Sequence, residues 1–270
     1  MTLSASVPVS AVAFDLDGTL YFGDTVAGAA VEIVEYLCGR DVTVLFFTNN
    51  SAKTRAQVVE KLMRMGLPAT RRNTYNSGSA AGAYLGERGW SRVAVLGTDG
   101  LRAELASAGL TLTDDAADAD ALVVGLIPDF DFDERPHLLD SLVSRTPIVA
   151  CNMDMTYPVE GGERRPGCGA IVHAVEAWCG RSVEEVVGKP GTYMFSVLCR
   201  EHGVMPAQVL VVGDNADSDI AMALAAGAPS ILIGAEATPA ERGKVTAVSG
   251  LPELLRIMKS GALRLEGNRK

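Results

Sequence analysis

Two aspartates stand one residue apart at the end of an apolar run, Val12-Ala13-Phe14-Asp15-Leu16-Asp17-Gly18-Thr19-Leu20. A short apolar run closed by polar residues and Gly reads as a buried strand opening into a turn. If the strand stays extended through the pair, Asp15 and Asp17 share a face. Carboxylates that close repel one another unless a cation or a shared proton compensates. Three further polar features stand where strands end or helices begin: Thr48-Asn49-Asn50, Gly188-Lys189-Pro190, and Gly213-Asp214 followed by Asp219. Singly, each has an ordinary structural explanation: an acidic turn, a helix cap, a surface lysine, a solvated acidic loop. In this order and at these positions they supply the parts of a phosphoryl-transfer site. One carboxylate serves as nucleophile and divides hydrolysis into two easier steps through an aspartyl-phosphate. A second protonates the leaving oxygen and then activates water. Magnesium prefers oxygen ligands and offsets the clustered charge. A Thr hydroxyl, backbone N–H groups and a Lys ammonium neutralise the equatorial phosphoryl oxygens.

The elements that must position these residues alternate between strand and helix. The first 66 residues read β-α-β-α: a strand at 12–14, a helix over 28–38, a strand over 41–47, and a helix over 54–65 that Gly66 ends. Ser77 is read as the cap of a helix to Leu85. Strands are expected at 92–97, 121–126, 147–151, 208–212 and 230–233, and helices at 101–108, 134–144, 170–178, 193–202, 220–226 and 251–259. Residues 152–169 read as a polar loop rich in Gly and Pro, and 260–270 as a frayed tail. This alternation predicts an α/β fold with a parallel sheet and right-handed crossovers.

Composition narrows the class. The 270 residues are 48% hydrophobic, enough for one large or two smaller domains. A net charge of −9 argues against a nucleic-acid partner. Five cysteines without a C-x-x-C pair read as reduced thiols, and three dispersed histidines give no support to a His-based metal site. Residues 1–10 lack the basic start and apolar run of a signal peptide, and no apolar stretch has the length of a membrane span. The expectation is a soluble, cytoplasmic protein with no membrane partner.

Asp15-Leu16-Asp17-Gly18-Thr19, Thr48-Asn49-Asn50, Gly188-Lys189-Pro190 and Gly213-Asp214-x4-Asp219 resemble the four motifs of the haloacid dehalogenase (HAD) superfamily. The resemblance implies Asp15 as nucleophile, Asp17 as acid/base, and Thr48 and Lys189 as holders of the phosphoryl group, with Asn49 contributing its backbone N–H. It implies Mg2+ bound by Asp15, the backbone carbonyl of Asp17 and Asp214, with Asp219 ligating or supporting. Phe14 takes no part in the chemistry. Only 31 positions separate Asp17 from Thr48, too few for an inserted domain, whereas 141 separate Thr48 from Lys189. A Rossmann-like core with a central parallel sheet (1–78 and 182–260) is therefore expected, with a smaller α/β cap inserted over 79–181 and a tail at 261–270. That layout is similar to subclass IIA, the nitrophenylphosphatase-like branch that includes phosphoglycolate, glycerol 3-phosphate and pyridoxal phosphate phosphatases. Leu45–Thr54, Asn152-Met153-Asp154-x2-Tyr157-Pro158 and Pro166-Gly167-Cys168-Gly169-Ala170 carry the likeness further.

The resemblance implies a magnesium-dependent phosphatase acting on a small phosphorylated metabolite. Loop 152–165 is expected over the core site, with Asp154 and Tyr157 lining it and Glu160, Arg164 and Arg165 as further candidates to touch the leaving group. The branch often has Asn-Pro-Asp where this chain has Asn152-Met153-Asp154, and Gly-Leu-Asp where it has Gly125-Leu126-Ile127. Both departures lie in the cap, the part that selects substrate. A homodimer through the cap is an expectation carried by the resemblance alone. Two other classes share some of these parts. A receiver-like phospho-acceptor module also uses Asp, Thr and Lys on a parallel sheet, but Asp17, the Asp214/Asp219 motif and the chain length argue against it. A phosphate-binding protein without turnover is the other alternative, one that replacement of Asp15 or Asp17 would favour, and both are present.

Overall fold

The computed structural model describes residues 8–128, 130, 145–158, 163–234 and 246–267. In chain order its first elements are β1 (Ala11–Phe14), β2 (Tyr21–Phe22), β3 (Thr25–Val26), α1 (Ala30–Cys38), β4 (Thr43–Thr48), α2 (Arg55–Arg64) and β5 (Thr74–Asn76). Next come α3 (Ser77–Glu87), β6 (Arg92–Leu96), α4 (Asp99–Ser107), β7 (Thr111–Thr113), β8 (Ala121–Val124), β9 (Ile148–Ala150), β10 (Thr156–Pro158) and β11 (Arg164–Pro166). The last are α5 (Cys168–Cys179), β12 (Glu185–Val186), α6 (Tyr193–His202), β13 (Val209–Gly213), α7 (Ala221–Ala226), β14 (Ser230–Ile233), β15 (Thr246–Val248) and α8 (Leu251–Lys259). The helix expected over 134–144 lies outside the described residues.

The chain divides into two compact units, one of Met1–Thr48, Val59–Tyr75 and Phe195–Lys270, the other of Asn49–Val58 and Asn76–Met194. A sheet of order β15-β14-β13-β1-β4-β5 belongs with the first. Its central strand β1 runs parallel to β13 and β4, with Phe14 level with Val212 on one side and Phe46 on the other. Every residue of β1 and β13 is buried, as expected of parallel strands covered on both faces. Buried Ile33, Val34 and Leu37 on α1 and Leu254, Leu255 and Met258 on α8 form the apolar stripes of helices in this unit.

The second unit holds a parallel sheet of order β12-β9-β8-β6-β7 and the antiparallel pair β10-β11. Strand β12 lies at Glu185–Val186, so this sheet extends past the 79–181 span expected for an insert. The stretch read as a loop over 152–169 instead contains the antiparallel pair β10-β11, with Tyr157 opposite Arg165. Asn76, rather than Ser77, caps α3: its side chain accepts from the Ser79 N–H, and the Ser79 hydroxyl faces the Asn76 N–H in return.

The tail is not frayed as far as it is described. Val9 N–H donates to Arg264 O and Glu266 N–H donates to Val9 O, each at 2.9 Å, and Leu263 is buried. No helix among the described residues is long and apolar enough to cross a membrane.

Cys151, at the end of β9, and Cys168, at the start of α5, are both buried. Burial pushes the Cys151 thiol up and the Cys168 thiol up to about 12, and it pushes Cys199 up to about 11. These raised values stabilise the fold below the ordinary thiol range, about 8.5, and that contribution is lost as pH climbs toward the folded values. Iodoacetamide at pH 8 should therefore label exposed Cys38 well before Cys151, Cys168 or Cys199. Urea midpoints should fall from pH 8 to pH 10.5, and by less in a Cys168→Ser variant. Rapid labelling of all five thiols in the folded protein would contradict the burial.

Candidate active site

Strand β1 stops at Phe14, before the two aspartates. Leu16 is fully buried and its carbonyl accepts from Thr19, Leu20 and Tyr21 N–H, so the chain turns tightly there. The turn follows Leu16 directly, and the two aspartates end in different surroundings, Asp15 buried and Asp17 exposed. Asp15 is 6% exposed, and its N–H is anchored to Val212 O of β13 at 2.8 Å. Asp17 is exposed and accepts from the Tyr21 hydroxyl at 2.8 Å. Burial, then the Asp17 charge, push the Tyr21 hydroxyl far above the ordinary phenol range, so it stays protonated and keeps donating. The Lys61 ammonium lies 3.9 Å from the centre of the Tyr21 ring, a cation–π contact that helps hold the phenol in place.

Strand β13 delivers the opposing carboxylates. The turn after it is wider than the helix expected from residue 220. Residues 216–220 form a π-turn ahead of α7, in which Ile220 N–H reaches Asn215 O. This turn brings Asp219 back inside at 1% exposure, where its carboxylate accepts from Asn215 N–H at 3.1 Å. Thr19 donates to Asp214 Oδ1 at 3.3 Å. Carboxylate oxygens of Asp15, Asp214 and Asp219 lie within 4.8 Å of one another, with Asp214 the most open. The Asp17 carboxylate is outside that group.

An all-oxygen donor set with two of its three carboxylates buried fits a hard divalent cation, and Mg2+ in particular binds through few carboxylates and keeps water. Gly18 makes the arrangement possible. It sits at φ 93°, and a Cβ there would collide with the Asp214 carboxylate. Thr48 is the last residue of β4, buried, on the strand beside β1.

In the second unit, Asn49 and Lys189 meet. Lys189 is 2% exposed. Its N–H donates to Asn49 Oδ1 and its carbonyl accepts from Asn49 Nδ2, each at 2.8 Å. The Asn49 carbonyl accepts from Ser77 Oγ at 2.8 Å and from Asn152 Nδ2 at 2.7 Å. Asp154 belongs to this network, accepting from Asn49 Nδ2 at 2.8 Å. Tyr157 is half-buried on β10. Arg164 donates to Thr156 Oγ1 at 2.8 Å, whereas Arg165 lines a cavity of about 290 Å³ with Ile127, Phe130 and Ile171. Glu160 lies outside the described residues. Ser77 and Tyr21, which stand outside the motifs, hold motif residues, and Thr19 and Asn152 were visible only as parts of motifs, without a role.

Two models of the same superfamily match the chain: haloacid dehalogenase-like hydrolase over residues 12–111 and HAD-hydrolase-like over 186–249. Chronophin of Rattus norvegicus is 32% identical over 257 residues, spanning 90% of this chain and 82% of its own. The chain belongs to the haloacid dehalogenase-like hydrolases. Its branch is subclass IIA. Human glycerol-3-phosphate phosphatase is 31% identical over 83% of this chain and 78% of its own. Among solved structures, the p-nitrophenyl phosphatase of Archaeoglobus fulgidus has a TM-score of 0.83 at 26% identity, covering 93% of this chain and 99% of that one. The 4-nitrophenylphosphatase of Thermotoga maritima has the same TM-score at 27% identity, covering 92% and 97%. The α/β fold with parallel sheets is thus that of the HAD hydrolases, and the chain is an enzyme of their phosphomonoesterase type.

Gly18→Ala combines positive-φ strain with a collision against Asp214. It should cost about 1–3 kcal/mol in urea unfolding. A variant as stable as the wild type would show that the turn has room that this close approach denies it.

Proposed function

We propose that this hydrolase is a magnesium-dependent phosphatase of small-metabolite phosphomonoesters working through an aspartyl-phosphate on Asp15. The observation that carries the reading is the convergence of the Asp15, Asp214 and Asp219 carboxylates at the carboxyl ends of adjacent parallel strands. Three like charges so close call for a divalent cation, and an ester phosphate is the partner such a cation best serves. Asp15, the Asp17 carbonyl and Asp214 would hold Mg2+, with Asp219 ligating or supporting. When bound, the ion would offset negative charge on both the carboxylates and the phosphoryl oxygens.

The remaining steps belong to the protein. An Asp15 oxygen attacks phosphorus and the ester P–O bond breaks. Asp17 gives its proton to the departing alkoxide. Asp17 then takes a proton from water, whose oxygen attacks the same phosphorus, releasing phosphate and restoring the Asp15 carboxylate. The Thr48 hydroxyl, the Asn49 N–H and the Lys189 ammonium would stabilise charge on the equatorial oxygens. Tyr21 holds Asp17 in place, and its neutral hydroxyl favours the charged form of that carboxylate.

The insert over 79–181 is assigned the role of cap, with Tyr157 facing the leaving group. A homodimer paired through that cap belongs to the same proposal and rests on the family resemblance, and a cytoplasmic location rests on the reading of composition and cysteines. The name of the human relative makes glycerol 3-phosphate the first ester to try, ahead of phosphoglycolate, pyridoxal phosphate and nitrophenyl phosphate.

Phosphate release across these esters should require Mg2+ and fall at least about 10³-fold in Asp15→Asn. Undiminished turnover by Asp15→Asn, or turnover indifferent to chelators, would sink the reading. Tyr21→Phe removes a donor to ionised Asp17. The limb of the kcat/KM profile that reports Asp17 deprotonation should then move up by about 0.5–1 pH unit. An unmoved or downward-shifted limb would show that Asp17 is not the group titrating.

A further inference from the structure

We infer that Asp154 is a positioning residue for Lys189, acting through Asn49, rather than a contact for the leaving group. The inference rests on the phosphatase reading for what Lys189 does, but its geometry lies wholly within the second unit. The Asn49 amide has two N–H hydrogens and one acceptor oxygen. Nδ2 faces two acceptors, Lys189 O and Asp154 Oδ2, while Oδ1 faces a donor, Lys189 N–H, all at 2.8 Å. All three contacts require the same amide orientation. In the flipped orientation, Oδ1 would lie against a carboxylate and a carbonyl. The Asp154 acceptor oxygen therefore reinforces the orientation in which Asn49 grips the Lys189 peptide on both sides.

Asp154 is itself held for this task. Its N–H donates to Asn152 Oδ1 at 3.0 Å, and Asn152 Nδ2 donates to Asn49 O at 2.7 Å. Asn49, Asp154 and Asn152 thus close a ring of hydrogen bonds across more than 100 positions of sequence. Gly169 N–H donates to Asp154 O at 2.9 Å. A Cβ on Gly167 would collide with Asp154 O, and one on Gly169 with Met153 O, so the start of α5 packs backbone against backbone under Asp154. A side chain whose backbone is mounted this firmly, with a carboxylate oxygen on an internal amide, has the character of a support. The ring explains Asn152-Met153-Asp154 and Pro166-Gly167-Cys168-Gly169 as one device: the glycines seat the backbone of Asp154, and Asp154 aims the clamp.

The test compares wild type, Asp154→Ala and Asp154→Asn in the full chain with Mg2+. It measures binding of inorganic phosphate by calorimetry and kcat/KM on glycerol 3-phosphate, pyridoxal phosphate and nitrophenyl phosphate. In Asp154→Ala, phosphate binding should weaken about tenfold or more, and kcat/KM should fall by one common factor on all three esters. Asp154→Asn retains an acceptor oxygen for Asn49 and should recover most of both. If Asp154→Ala does not fold, Asp154→Ser is measured in its place, with the same expectation. Unchanged phosphate binding, or losses that differ about tenfold between esters, would assign Asp154 to the leaving group and overturn the inference. Phosphate binding that weakens as expected in Asp154→Ala, beside a wild type that binds phosphate but lacks turnover, would refute the phosphatase reading while leaving the clamp standing. Absence of phosphate binding to the wild type would overturn both.

Discussion

Mutual repulsion among Asp15, Asp214 and Asp219 is the constraint on which the first unit depends. Bringing carboxylate oxygens within 4.8 Å, two of the groups buried, costs stability in the protein alone. The fold meets that cost with geometry: paired strands β1 and β13 set the separation, and hydrogen bonds from Thr19 and Asn215 hold two of the carboxylates. Gly18 leaves Asp214 the space a side chain would take. Under the proposed function, this cluster holds a cation, and the cation an anionic ester. Structure and chemistry share one cause.

The second unit solves a different problem, the confinement of a buried lysine segment. Lys189 is 2% exposed, and its peptide is gripped on both sides by the Asn49 amide. Asn49 is in turn gripped at its carbonyl by Ser77 and Asn152. A hydrogen-bonded hub of this kind rigidifies only when every member is satisfied, which is why single substitutions in it should act at a distance.

Much of this was legible in the sequence because chemistry and strand ends coincide. Asp15, Thr48 and Asp214 were placed at strand ends by apolar runs that stop abruptly, and the structure has them at or just past the ends of β1, β4 and β13. What sequence reasoning missed has identifiable causes. Strands β2, β3, β7 and β12 have two or three residues, too few for periodicity to register. Ser77 looked like a helix cap because its partner, the Asn49 carbonyl, is 28 residues away and leaves no local signal. The contact between the Asp154 carboxylate and the Asn49 amide, 105 residues earlier, likewise leaves no local signal. The tail looked frayed for want of apolar periodicity, yet backbone pairing with Val9 needs none. Long-range polar contacts between single residues are what one sequence hides best.

The central claim is that Asp15 becomes phosphorylated during turnover. The most direct measurement is a rapid acid quench with ester labelled in its phosphoryl group, followed by borohydride reduction, which converts an aspartyl-phosphate to homoserine, and peptide mapping. The account predicts label on the quenched wild-type protein, homoserine at position 15, and neither in Asp15→Asn. Steady turnover with no labelled protein at any quench time, or with label on another residue, would contradict it.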